Sequence, residues 1–174
     1  MIKLSYKLTE SEIYTSLVAI FKSRFITNLM RNVGFVILAV MLFLTTSGLR
    51  NGTLNFTAGF AFPIFLAIYL IFLPEITSKF QTPNLVKKKN PFSEEVNVKI
   101  YETGYRVQGQ TFNNQQSWNN LNAIIETKDF FLLKETDIIA TVIPKRVLSA
   151  EDSSQLVAII NQVEGPKKLL LAKA

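Results

Sequence analysis

The chain contains neither cysteine nor histidine. Disulfides, thiolate nucleophiles, Cys/His zinc sites and imidazole acid–base catalysis are therefore all excluded. Glu126 and Asp129 are close in sequence, but they flank a turn with no electrophile or metal partner in view, so no acid–base role is assigned to them. The expectation is a chain that is not an enzyme and takes no cofactor or metal.

The remaining groups able to recognise something are cations and one aromatic. Lys87, Lys88 and Lys89 follow a long apolar segment. Beside a membrane, each basic residue attracts anionic lipid by about 1 kcal/mol; the plainer reading is charge that sets membrane topology. Lys145 and Arg146 end the run Ile143-Pro144-Lys145-Arg146, where they could hold a lipid phosphate or a partner's carboxylate. The plainer reading there is a strand-end turn with two solvated charges. Trp118 reads as a core or rim anchor ahead of a ligand platform. Gln108, Gln110, Gln115 and Gln116 form a polar face suited to solvent.

The elements that must position these groups begin with two apolar runs. Residues 32–49 carry no charge, and neither do residues 51–74. At a rise of about 1.5 Å per residue, 18 to 20 residues match a hydrocarbon core of roughly 30 Å. Their Leu, Ile, Val and Phe contribute about −3 to −7 kcal/mol per segment to insertion. Two transmembrane helices are expected, in an antiparallel hairpin closed at Arg50-Asn51-Gly52-Thr53, with Pro63 as a kink and Thr57 and Ala61 allowing close packing. A signal peptide is rejected, because the basic leader is long and patterned. Five basic residues precede the first run and Lys79, Lys87, Lys88 and Lys89 follow the second, against Arg50 alone between them. Both termini should then be cytoplasmic. The net charge of +6 sits mostly around these runs, so a nucleic-acid partner is not expected. No ionisable residue lies within either span, which favours an anchor over a small oligomeric transporter or pore.

Around the hairpin, residues 2–8 alternate as a short strand, and Thr9-Glu10-Ser11-Glu12 has the form of a capping box. The helix it opens carries Ile13, Leu17, Ile20 and Phe21 on one side, with Phe25 continuing the stripe, and should lie on the membrane or on the β-region. Residues 75–92 read as a basic linker. From residue 93 to 165, six short antiparallel strands are expected, with Gly104 left-handed in a hairpin loop and a terminal amphipathic helix opened by Ser149. The strand at 2–8 could supply a seventh strand to one curved sheet capped by that helix. Residues 166–174 read as a flexible tail.

The series Trp118-Asn119-Asn120-Leu121, Ile125-Glu126-Thr127-Lys128-Asp129-Phe130-Phe131-Leu132-Leu133 and Val142-Ile143-Pro144-Lys145-Arg146 resembles the bacterial YcxB-like family. Tyr6-Lys7-Leu8-Thr9-Glu10-Ser11-Glu12 and the double span fit its layout. The resemblance implies a pleckstrin-homology-like β-domain and a location in the bacterial cytoplasmic membrane. It implies no chemistry. The fold expected is a membrane α-helical hairpin plus an α+β domain. The function expected is a non-catalytic interaction module in the bilayer, an adaptor or modulator of another membrane protein. The alternative is a sensor of anionic lipid. Self-association is left open.

Overall fold

The computed structural model describes residues 1–52, 58–87 and 90–170. Strand β1 (Ile2–Lys7) is followed by helices α1 (Glu10–Lys22), α2 (Phe25–Arg50), α3 (Ala58–Ile71) and α4 (Leu73–Leu85). Strands β2 (Glu95–Ile100), β3 (Gly104–Gln108), β4 (Asn113–Ser117), β5 (Ala123–Glu126), β6 (Phe130–Lys134) and β7 (Ala140–Pro144) come next. Helix α5 (Ala150–Gln162) and strand β8 (Lys167–Leu169) close the described chain.

The strands form two sheets rather than one: β1-β2-β3-β4 and β7-β6-β5-β8. The break falls at Trp118–Asn120, a 3-10 turn that replaces the end of the strand expected at 115–118. β1 does join the sheet, pairing antiparallel with β2 from Ile2 opposite Ile100 to Lys7 opposite Glu95. The 87 residues between the paired ends Lys7 and Glu95 are thus an insertion into one sheet. β8 pairs parallel with β5, so residues 167–169 are ordered against an edge that would otherwise be open. Gly165 makes the preceding turn with φ of 110°. Gly104 has no positive φ. It is required instead because a Cβ there would collide with the Gln116 carbonyl on β4.

One core lies between the sheets and under α5, built on Ile2, Val98, Ile100, Phe131, Leu133 and Ile143. The outer face of the second sheet has its own core, in which Phe130, Leu132 and Val142 pack on Ile20 of α1. β6 is therefore buried on both faces. The two-residue period puts Lys134 on the same side as Phe130 and Leu132, which is why a lysine is buried at that strand end. Both capping boxes form. Thr9 Oγ1 accepts from Glu12 N at 3.2 Å and Glu12 accepts from Thr9 N at 2.8 Å; Ser149 and Asp152 do the same for α5.

α2 is long and apolar enough to cross a membrane. It has 26 residues, a mean hydropathy of 2.0, and only 11% of its apolar window buried. A core helix of a soluble domain would hide such a stripe; here Phe35, Val36, Leu42 and Phe43 are all exposed. α3 runs back beside it. Gly34 makes the close approach possible, since a Cβ there would sit 2.9 Å from the Ala67 carbonyl oxygen. Pro63 lies inside α3, but the bend, of 63°, comes between Ile71 and Leu73. Pro74 in the first turn of α4 has no N–H to continue the ladder across it. The expected packing residue Thr57 lies outside the described residues.

The segment expected as a linker is mostly α4. Its buried residues are Pro74, Ser78 and Thr82, a four-residue period of small side chains facing α1 rather than an apolar stripe. Lys22 bridges to Glu75 at 2.6 Å where the two helices meet. α1 is sandwiched between α4 and the second sheet. Phe25 does not continue its apolar stripe: the helix ends at Lys22, and Phe25 begins α2 with 81% of its surface exposed.

Candidate functional site

The residues singled out from the sequence are not brought together. Lys145 Nζ lies 2.7 Å from Glu126 Oε1 and 5.1 Å from the Phe131 ring centroid. Arg146 grips Glu12 with two nitrogens, Nε to Oε1 at 2.5 Å and Nη2 to Oε2 at 3.0 Å, and Nη2 also donates to the Lys7 carbonyl at 2.9 Å. The guanidinium hydrogen bond holds the Glu12 carboxyl down at about 2. Both cations thus have carboxylate partners within the chain, and they fasten α1 and β5 to the turn after β7.

Trp118 is buried, with its indole N–H donating to the Tyr101 carbonyl at 3.0 Å and its ring 5.4 Å from that of Tyr105. It is a core anchor. Lys87 donates to Asn84 Oδ1 at 2.8 Å beyond the end of α4. Lys88 and Lys89 lie outside the described residues.

The structure instead presents a cleft that the sequence did not disclose. It lies between the first sheet and the edge strand β7, has a volume of about 210 Å³, and is walled by Tyr6, Phe92, Val107, Phe112, Ile139 and Val142. Its aromatic walls are set by local hydrogen bonds. Asn90 Oδ1 accepts from Phe92 N at 3.1 Å and fixes the turn that carries this ring. Glu94 accepts from Gln110 N, Thr111 N and Thr111 Oγ1 at 2.6–3.0 Å, folding the β3–β4 turn so that Phe112 points inward. Those donors also lower the Glu94 carboxyl, the Thr111 hydroxyl most.

Glu135 is a second carboxylate at this cleft, beside Glu94. It accepts from Tyr105 Oη, Asn114 Nδ2 and Gln116 Nε2 at 3.2–3.3 Å. Burial raises the Tyr105 phenol above its ordinary value, so it is a donor at any physiological pH. Tyr6 Oη closes the back of the cleft by donating to the Val142 carbonyl at 2.5 Å, and burial raises its pKa likewise. Beside the cleft, the β6–β7 tip leaves Ile138 and Ile139 exposed, held by Thr136 Oγ1 accepting from both backbone N–H groups.

Among the described residues, no three Asp or Glu gather as a metal site would require. The cleft is lined by two carboxylates, Glu94 and Glu135, by Asn114 and Thr141, and by apolar walls.

Strands β3 to β7, the 3-10 turn at Trp118 and the Pro144-Lys145-Arg146 corner all lie within one stretch of chain. Residues 100–160 match the family model of the YcxB-like proteins. No curated protein and no solved structure matches the chain significantly. The YcxB-like stretch starts at the end of β2 and runs to Ile160 of α5. It includes Phe112, Glu135 and Ile139 of the cleft and leaves out β1 and the four helices inserted after it. The expected resemblance is therefore found for the β-domain core.

Proposed function

We propose that this chain is a non-catalytic, membrane-anchored interaction module. Its helical hairpin fixes a pleckstrin-homology-like β-domain at the cytoplasmic face, where the cleft beside β7 takes an extended segment of another membrane protein. The observation that carries the anchoring is the exposed apolar length of α2, and the pairing of β1 with β2 constrains its topology. Two strands of one sheet must lie on the same side of a bilayer, so the insertion between them crosses an even number of times. α2 is long and apolar enough to cross once, and the bent pair α3 and α4 is the segment able to return the chain. The basic residues flanking the pair favour the cytoplasm for both ends.

The pleckstrin-homology-like reading rests on a four-stranded meander, a second set of three antiparallel strands, and a C-terminal helix over the core. The binding reading rests on the cleft. β7 is the edge of its sheet and offers the backbone groups other than the Val142 carbonyl, which Tyr6 holds, while the cavity beside it suits an apolar side chain. Tethering raises the effective concentration of such a contact, so weak intrinsic affinity suffices.

The test is site-specific photo-crosslinking in native membranes, with the probe placed at Phe112, at Ile139, or at Lys99 on an exposed strand face. The proposal expects the same protein adduct from the first two positions and none from the third. An equal adduct pattern at all three, or none at Phe112 and Ile139, refutes it. A second reading, recognition of anionic lipid, is favoured by the charges gathered where α1 meets α2.

A further inference from the structure

Four cations meet at the elbow between α1 and α2: Lys22, Arg24, Arg31 and Lys134. Near them are two carboxylates, Glu75 bridged to Lys22 at 2.6 Å and Asp137 at 4.0 Å from Lys134. The cluster keeps two positive charges in excess. Lys134 is 2% exposed and its Nζ donates to Ser23 Oγ at 2.9 Å. Burial, with Arg24 nearby, pulls its pKa below the ordinary lysine value. The Nε atoms of Arg24 and Arg31 are both buried without a hydrogen-bond partner. Buried guanidinium donors are costly to leave unmet.

Thr27 and Arg31 lie four residues apart on one face of α2, and Arg24 is the extended residue that precedes its first turn. Arg24 and Thr27 line a cavity of about 200 Å³ whose other walls include Phe21, Ile26, Met30 and Leu73. α2 itself starts without a side-chain cap and without an acidic residue in its first turn. The N–H groups of Phe25, Ile26 and Thr27 are thus left at the positive end of a 26-residue helix. Cationic rim, apolar wall and a place at the start of the membrane helix are the chemistry of a phospholipid.

We propose that this cavity binds one anionic phospholipid from the cytoplasmic leaflet. Arg24 and the first turn of α2 take the headgroup phosphate, and Phe21, Ile26, Met30 and Leu73 take the adjoining acyl chain. Lys22, Arg31 and Lys134 supply the positive field that selects a net negative headgroup. The bound lipid fastens the elbow, and with it the angle between anchor and β-domain. The site is separate from the protein-binding cleft, but the inference rests on the membrane anchoring proposed above.

The test is native mass spectrometry of the full chain released from detergent micelles. Phosphatidylglycerol and phosphatidylcholine of the same acyl chains are titrated in, with inorganic phosphate as competitor. One phosphatidylglycerol should be retained in preference to phosphatidylcholine. Arg24→Gln should weaken it about tenfold, the loss expected for one charge-assisted phosphate contact. Met30→Trp, which fills the cavity and leaves the charge alone, should weaken it as well, and decides the matter if the arginine variant does not fold. Lys99→Gln should change nothing. Equal retention of both lipids, indifference to both cavity variants, or displacement by inorganic phosphate overturns the headgroup site. A chain that stays monodisperse without detergent overturns the anchoring along with it.

Discussion

Arg146 joins parts of the chain that are 134 residues apart through a two-nitrogen grip on Glu12, while Lys145 beside it pairs with Glu126. Arg146 is half exposed, so the bridge itself is worth only about 1 kcal/mol. Its pH dependence is more diagnostic than its size. The Glu12 carboxyl is held at about 2 in the fold against 4.5 in the unfolded chain. The stabilisation is fully present above pH 4.5 and is lost as the pH falls toward 2. Melting of wild type and Glu12→Gln should therefore differ at pH 6 and converge as the pH drops through 4; a gap independent of pH contradicts the pairing. Trp118 makes the opposite case, an apolar mass with one polar contact. Trp118→Ala should cost about 3–5 kcal/mol in denaturant unfolding of the detergent-solubilised chain. A cost below about 1 kcal/mol would mean that the ring is not core.

At the scale of elements, what could be read from the sequence depended on whether the signal was local. The capping box at Thr9 and the helix start at Ser149 were legible because four consecutive residues make each of them. β1 and the six strands before α5 were legible from alternation and turn residues. α4 was hidden because its packed face is Pro74, Ser78 and Thr82, which read as polar linker without α1 beside them. β8 was hidden for a similar reason: two lysines and a leucine become a strand only because β5 offers an edge. The cleft was illegible because its walls come from five separate segments, although two adjacent isoleucines at a hairpin tip were a hint. Gly34 is the element-scale test. Gly34→Leu should overpack α2 against Ala67 and Ile71, lowering stability by about 1–3 kcal/mol. The same substitution at Gly52, which has open space around it and φ of 67°, should leave the α2–α3 contact intact. Equal loosening of that contact by both, read by disulfide crosslinking of paired cysteines across α2 and α3, would contradict the packing.

The whole molecule is a β-domain opened between its first two strands to admit four helices, one of them long and apolar enough to cross a membrane and proposed as its anchor. That arrangement couples anchor and domain through a full strand pairing, the α1–sheet core and the Glu12–Arg146 bridge, rather than through a linker. It follows that residues 1–7 cannot be treated as a dispensable leader. Deleting them should remove Ile2, Leu4 and Tyr6 from the core, expose β2 as an edge, and leave the β-domain sensitive to protease in membranes. Persistent resistance would show that the domain folds without β1.

The measurement that bears most directly on this architecture uses the absence of cysteine in the chain. Single cysteines placed at Lys3, Asn51 and Lys99 can each be probed with a membrane-impermeant maleimide in intact and permeabilised cells. The expected result is labelling of Asn51→Cys from outside, and of Lys3→Cys and Lys99→Cys only after permeabilisation. Labelling of Lys3→Cys and Lys99→Cys on opposite sides would contradict the β1–β2 pairing. Protection of Asn51→Cys in intact cells, with all three exposed after permeabilisation, would contradict the two crossings.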